Sequence, residues 1–360
     1  MDSGTEGPDR RVGVRVTVIS GQGAAGVAKE RSNLVSIEAI RAAAKRIQGI
    51  AVRTPLVRAP FAGVAGRGTQ REIWLKAESL QPIGAFKIRG AANKILQLTA
   101  AERGRGVITY SSGNHAQGVA YAAREVGARA VIVMPRNAPA IKRAATIALG
   151  AEIVEVGPAA SERLEKAEQL VRERGYVVVP PYDDFEILAG QGTCGLEIME
   201  EMPEADLVLA PVSGGGLLGG VAAAVKQLSP RTKVFGVEPE LAGDTAESFR
   251  KGEIVAWPAE RVTRTMADGL RTESVGVRNF AQIRAFVDGI VTVTEAEIRG
   301  AMRAIAAATR LVPEPSGAVA AAALLYHAAQ LPEYRRAVAV LSGGNVDPAL
   351  LAEVLTESGV

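Results

Sequence analysis

The chain has 360 residues, of which 48% are hydrophobic, 22% charged and 4% aromatic, with 39 glycines. Its one cysteine, Cys194, excludes an intrachain disulfide framework and a multi-cysteine zinc site, and its two histidines, His115 and His327, exclude a His-rich metal centre. The net charge of +3 comes from 42 basic and 39 acidic residues interspersed along the chain, without the clustered stripe and interleaved aromatics that nucleic-acid binding needs.

Residues 1–35 mix glycine with charge and sustain no period, which predicts a weakly ordered tail. The apolar stretch 12–19 is broken by Gly13 and Arg15, so it does not read as a signal peptide. From Ser36 the period turns helical, with Ile37, Ile40, Ala44 and Ile47 on one face. Trp74 and Leu75 mark a short strand. Strands then follow at 107–110, 130–134, 153–156 and 176–179, alternating with helices at 114–126, after Pro139, and at 161–174. Further strands at 207–210, 234–237 and 337–341 each run into glycine or proline and then a helix. Residues 207–225 carry no charge, but Pro211, Ser213 and five glycines read as strand, loop and buried helix rather than a membrane span. Short apolar strands alternating with helices predict mostly parallel sheet covered on both faces.

Ligands of open α/β sheets bind beyond the carboxyl ends of strands, and three such ends carry glycine loops. They are the runs 110–115, 211–217 and 341–346. In the second, adjacent glycines let backbone N–H groups converge on an anion ahead of a helix. Gly214, Gly216 and Gly219 also meet the dinucleotide fingerprint, with Glu238 in place for a ribose, so an NAD-dependent dehydrogenase competes at this point. Lys87, between Phe86 and Ile88, is either a snorkelling surface lysine or one whose apolar setting frees its amine to attack a carbonyl.

The run 79–90, Ser-Leu-Gln-Pro-Ile-Gly-Ala-Phe-Lys-Ile-Arg-Gly, and the segments 111–117, 213–217 and 341–347 occur in one order. With 189–193, 267–269, 293–295 and 314–317 they resemble the fold-type II pyridoxal-phosphate enzymes, in the threonine/serine ammonia-lyase and serine racemase branch. The resemblance spans about residues 36–347. It implies a two-domain α/β architecture like the tryptophan synthase β chain, each domain an open, mostly parallel sheet flanked by helices. We expect a large coenzyme domain of residues 36–105 and 184–360 and a small mobile domain of 106–183.

By resemblance, Lys87 carries the coenzyme as a Schiff base and Phe86 packs on its ring. Asn114 meets its 3-hydroxyl, and the backbone of Ser213, Gly214, Gly215, Gly216 and Leu217 holds its phosphate. Ser213 stands where the racemases have glycine. Ser342 faces the pyridine nitrogen, where a hydroxyl cannot force protonation as an aspartate would; taken alone it also reads as a helix cap. Ser111, Ser112, Gly113, Asn114 and His115 clasp the substrate carboxylate, and Ser112 lies on the face opposite Lys87, where it serves as second acid/base. His115 reads as structural when taken alone, and His327 as helix packing. Glu238, the Ala242 carbonyl and Asp244 match a site for Mg²⁺, Mn²⁺ or Ca²⁺.

The implied activity is deamination of L-threonine or L-serine to a 2-oxo acid and ammonia in a cytoplasmic homodimer or dimer of dimers, without nucleic-acid or membrane partners. Serine racemisation, or dehydration of threo-3-hydroxyaspartate with help from Arg163, are the rivals on the same site. The NAD dehydrogenase is the rival of another class, and a non-enzymatic binding protein a further one. The chain ends about 13 residues beyond Asp347, so no C-terminal regulatory domain is expected.

Overall fold

The computed structural model describes residues 34–61, 71–138 and 140–357. The expected N-terminal tail therefore lies outside the described residues up to 33. Its last residue, Val35, is instead buried, with its N–H on the Gln282 side chain and its carbonyl on Gln227.

Local signals set the elements. Ser36 caps helix α1 (Ile37–Arg46) by accepting from the N–H of Ala39. Strands β1 (Leu56–Arg58) and β2 (Glu72–Ala77) follow, then α2 (Lys87–Ile95). Thr99 and Glu102 form a capping box for α3 (Ala100–Arg105). The next stretch alternates β3 (Val107–Thr109), α4 (Asn114–Glu125), β4 (Ala130–Pro135), α5 (Ala140–Ala148), β5 (Glu152–Val156), α6 (Ala160–Arg174) and β6 (Val177–Val178). Asp184 caps α7 (Phe185–Glu201), and β7 (Leu207–Pro211), α8 (Gly216–Leu228) and β8 (Lys233–Pro239) come next. Then follow α9 (Asp244–Lys251), α10 (Ala259–Val262), α11 (Val277–Phe286), β9 (Gly289–Val293), α12 (Glu295–Thr309), α13 (Pro315–Tyr326), β10 (Arg336–Leu341) and α14 (Pro348–Thr356).

The strands form two sheets. One has the order β1-β2-β10-β7-β8-β9, parallel except for β1 against β2; the other has the order β5-β4-β3-β6 and is parallel throughout. Strands such as β7 and β4 are buried along their whole length, as sheets covered by helices on both faces require. The 207–225 segment is the buried strand, loop and helix expected of it.

Close helix contacts explain much of the glycine. A Cβ on Gly220 of α8 would come within 2.5 Å of the Leu188 carbonyl in α7, and one on Gly190 within 2.6 Å of the Arg89 carbonyl in α2. Helix α7 therefore touches α2 and α8 through backbone. Among the described residues no helix is long and apolar enough to cross a membrane.

His327 departs from expectation. It is the C-cap of α13 rather than a packing residue, and its Nε2 lies 3.0 Å from Glu297 Oε2.

Candidate active site

The site forms where β10, β2 and β7 end and the small sheet's β3 and β6 face them. The loop after β10 pairs with the loop before α2: Phe86 donates its N–H to the Ser342 carbonyl at 3.0 Å, and Gly344 donates to the Gly84 carbonyl at 2.9 Å. Lys87 thus opens α2 directly beside Ser342. From the small sheet, α4 lies against the same turn, and a Cβ on its Gly118 would sit 3.2 Å from the carbonyl carbon of Lys87.

Lys87 is half-buried, and its Nζ donates to the Pro181 carbonyl at 2.7 Å, just after β6. Its Nζ lies 5.3 Å from the centre of the Phe86 ring. Burial pulls its pKa down to about 8, so a useful fraction of free amine exists near neutrality. The surface-lysine reading is thereby set aside.

The Ser111–His115 run enters α4 through Gly113, with Ser111 and Ser112 half-exposed at the helix N-terminus. The Asn114 side chain is shared between two residues: Nδ2 donates to Glu314 Oε1 at 2.7 Å and Oδ1 accepts from Asn345 Nδ2 at 2.9 Å. One N–H of its amide remains for a ligand. His115 is buried, with Nε2 2.9 Å from the Val179 carbonyl. A carbonyl only accepts, so Nε2 carries the proton and Nδ1, without a partner, is an acceptor. Burial, reinforced by Lys87, holds its pKa down to about 3, so the ring is neutral.

Glu314 had no assigned role in the sequence, yet it stands at the centre of these loops. Burial, with Asp268 adding to it, pushes its carboxyl up to about 7 against the pull of Asn114 and Lys142. Lys142 of α5 in turn pairs with Asp268, joining the small sheet's helices to the loop that precedes Gly269. The sequence signal was the run 314–317, where an acid precedes Pro-Ser-Gly at a helix start. Ser342 is not a helix cap: Asp347 caps α14, and the Ser342 hydroxyl reaches the Ser316 carbonyl only at 3.5 Å.

The glycine loop after β7 is held from three sides. The Gly214 carbonyl accepts from the N–H of Gly276 at 3.1 Å and from Asn279 Nδ2. Ser213 Oγ lies 2.6 Å from Thr272 Oγ1, and the Ser213 carbonyl accepts from Thr245 Oγ1 at 3.0 Å. Gly215 has φ +90°, and a Cβ on Gly214 would meet the Tyr182 ring at 2.5 Å. The first turn of α8, from Gly216 and Leu217, has no intrahelical acceptors for its N–H groups, so the loop fits a phosphate.

Glu238 and Asp244 are both buried beside this loop. Glu238 accepts from the N–H groups of Thr245 (3.3 Å) and Ala246 (2.9 Å), so it serves the start of α9 and is not free to face a ribose. Burial, and then Asp244, push the Glu238 carboxyl well above the usual range; burial pushes Asp244 up to about 7. Asp244 Oδ1 has no hydrogen-bond partner, as a cation ligand would present it. Among the described residues no three His, Cys, Asp or Glu side chains cluster for a metal, and Ala242 ends the 3-10 turn 240–242 two residues before Asp244.

Comparison with known proteins follows this geometry. Residues 47–343 match the family model described as "Pyridoxal-phosphate dependent enzyme". The chain is 40% identical to the catabolic L-threonine dehydratase of Escherichia coli over 323 residues, 89% of this chain and 96% of that protein. It is 41% identical to the L-threo-3-hydroxyaspartate ammonia-lyase of Saccharomyces cerevisiae over 285 residues, 79% and 86% of the two chains. A solved threonine deaminase from T.th. superposes with a TM-score of 0.80 at 45% identity, covering 87% of this chain and 99% of that one.

Proposed function

This chain belongs to the pyridoxal-phosphate dependent enzyme family, and from that premise we propose that it deaminates L-threonine, and L-serine after it, to a 2-oxo acid and ammonia. The carrying observation is Lys87: a half-buried amine with its pKa drawn down to about 8, opening a helix between the loop after β10 and the small sheet.

Pyridoxal phosphate, when bound, supplies an electrophilic carbon for the substrate amine and a ring that draws electrons from Cα. The 213–217 loop would hold its phosphate, Phe86 would pack against its ring, and the spare N–H of Asn114 would meet its 3-hydroxyl. Ser342, whose hydroxyl is only weakly committed, would face the ring nitrogen. Lys87 Nζ takes the Cα proton. The start of α4, from Ser111 to His115, orients the substrate carboxylate with backbone donors. The proton that Lys87 takes from Cα can pass to the β-hydroxyl, which departs as water, and hydrolysis of the released enamine yields the 2-oxo acid and ammonia.

Three further readings belong to the proposal. The chain 106–183 moves as a small domain over the larger one, a division that the strand lists of the two sheets support. Glu238, the Ala242 carbonyl and Asp244 hold Mg²⁺, Mn²⁺ or Ca²⁺, supported by the unpartnered Asp244 Oδ1 and by burial, which raises both carboxyls. The protein works in the cytoplasm as a homodimer or dimer of dimers, and exposed Leu80 and Val312 on one groove support self-association.

A second substrate class has its own support. Arg163 on α6 is half-buried, with burial pulling its pKa down and Glu273 opposing, and no hydrogen bond or ion pair holds it among the described residues. Glu273 adjoins Thr272, which bonds Ser213, so a second substrate carboxylate, as in threo-3-hydroxyaspartate, has a cation within the site region.

The test is Lys87→Ala. We expect loss of the borohydride-trapped coenzyme adduct and a fall in 2-oxo acid formation of roughly a thousandfold or more. A trapped adduct mapped to another lysine would overturn the reading.

A further inference from the structure

Beneath the site lies an ion network that no step above uses. The Arg89 guanidinium is fully buried and saturated. Nε and Nη2 donate to the two oxygens of Glu78 at 2.7 and 2.8 Å, while Nη1 and Nη2 donate to the two oxygens of Glu197 at 2.7 Å each. Nη1 also donates to Thr193 Oγ1 at 3.0 Å. Lys76 Nζ donates to Glu197 Oε2 at 2.6 Å and to the Thr54 carbonyl at 2.5 Å, and Thr54 Oγ1 donates to Glu78 Oε1. Two cations and two carboxylates leave the group neutral.

Glu78 and Arg89 bracket the stretch 79–88, a 3-10 turn and loop through Phe86 followed by Lys87 and Ile88 at the start of α2. Their fork-to-fork pair closes that loop at its base, and the Gly190 contact with the Arg89 carbonyl fixes the same residue against α7. Buried ion pairs add little net stability compared with well-packed apolar side chains, because desolvation offsets their attraction. What such a pair does supply is fixed geometry, since the planar guanidinium accepts only one arrangement of two carboxylates.

We infer that Arg89 is a positioning residue: its clasp with Glu78 fixes the loop that delivers Lys87, and so sets the angle at which the Lys87 amine meets coenzyme and substrate. This rests on the reading of Lys87 under Proposed function. Both partners stay charged: burial pushes Glu78 up, but Arg89 and Lys76 outweigh it and hold the carboxyl below its usual range. Lysine at 89 would keep the charge but, as a point donor, lose the fork.

The experiment compares the coenzyme-loaded wild type with Arg89→Lys, with Glu78→Gln as the second variant should the first not fold. Ile305→Ala, a truncation of a fully buried side chain in α12, serves as a destabilised control. For either clasp variant we expect kcat on L-threonine to fall by about 10- to 100-fold with KM changed less than about threefold. The visible circular dichroism of the bound coenzyme should lose about half its amplitude or more, because its tilt against the lysine is no longer fixed. Coenzyme affinity should hold within about threefold, since the phosphate loop is untouched. Ile305→Ala should melt lower yet keep kcat and the dichroism. The proposal is overturned if both clasp variants keep wild-type kcat and dichroism, or if the control loses them to the same degree. A wild type that captures coenzyme but turns over no threonine fails the substrate reading alone, and the dichroism still decides the clasp; a wild type that captures none overturns both.

Discussion

At Ser112 the two chemistries open to this site part company. Elimination from an L-amino acid needs one base on the Lys87 face, whereas racemisation needs a proton donor on each face of Cα. Ser112 stands half-exposed two residues before Asn114, at the mouth of α4. Ser112→Ala should abolish interconversion of L- and D-serine while leaving L-threonine deamination within about tenfold of wild type. Chiral chromatography beside a 2-oxo acid assay measures both, and persistence of racemisation at the wild-type rate removes Ser112 from that role. Lys87, Ser112 and the loop glycines could be singled out in sequence because each lies in a contiguous run whose order carries meaning. The contacts of Glu314, Asn345 and Pro181 were not legible, although the runs 314–317 and 341–347 were: Glu314 meets Asn114 across 200 residues of chain, and Pro181 acts through a carbonyl that any residue would provide. His115 was readable only as ambiguous, because its tautomer follows from one long-range carbonyl.

At the scale of elements, the loop between β7 and α8 shows sequence and structure in closest agreement. Its glycines are required for two different reasons. Gly215 occupies the left-handed region at φ +90°, and a Cβ there would lie 2.9 Å from both Asn279 and Val275. Gly214 instead leaves room for the Tyr182 ring. Gly215→Ala should introduce about 1–2 kcal/mol of backbone strain before those contacts are counted. The loop relaxes by turning its N–H groups, so coenzyme affinity in a spectroscopic titration should weaken roughly tenfold. An unchanged titration would mean that the phosphate is held elsewhere. The order of buried strand, glycine loop and buried helix followed from composition alone; the grip on the loop from Thr245, Thr272 and Asn279 did not, since those polar residues look like ordinary loop and helix surface in sequence.

Across the whole molecule, the proposed cation site couples protonation to stability. Asp244, raised to about 7, and Glu238, raised well above the usual carboxylate range, bind protons in the folded chain that they release when it unfolds. Their contribution is present in full below the ordinary carboxylate pKa of about 4, and that of Asp244 is lost as pH rises through about 7. His115, held at about 3, has the opposite sign and costs stability as pH falls below about 6.5. A divalent cation at the two acids must displace protons, so it should stabilise more at pH 8 than at pH 5.5. At a hundredfold excess over Kd we expect a rise in melting temperature of roughly 5 °C at the higher pH. Melting curves after exhaustive chelation that do not respond to Mg²⁺, Mn²⁺ or Ca²⁺ at either pH would exclude the site.

Strand β10 is the latest strand in the chain, yet it lies in the middle of its sheet, between β2 and β7. A ribosome-bound chain that has emerged only as far as β9 holds β1–β2 and β7–β9 as two separate fragments with their inner edges unpaired. The loop at 342–344 that lines up Lys87 has not yet been made. The emerging protein is therefore at its most adhesive, with two open sheet edges, while it is still inactive. Chaperone dependence and the onset of activity should both coincide with the synthesis of the final strand.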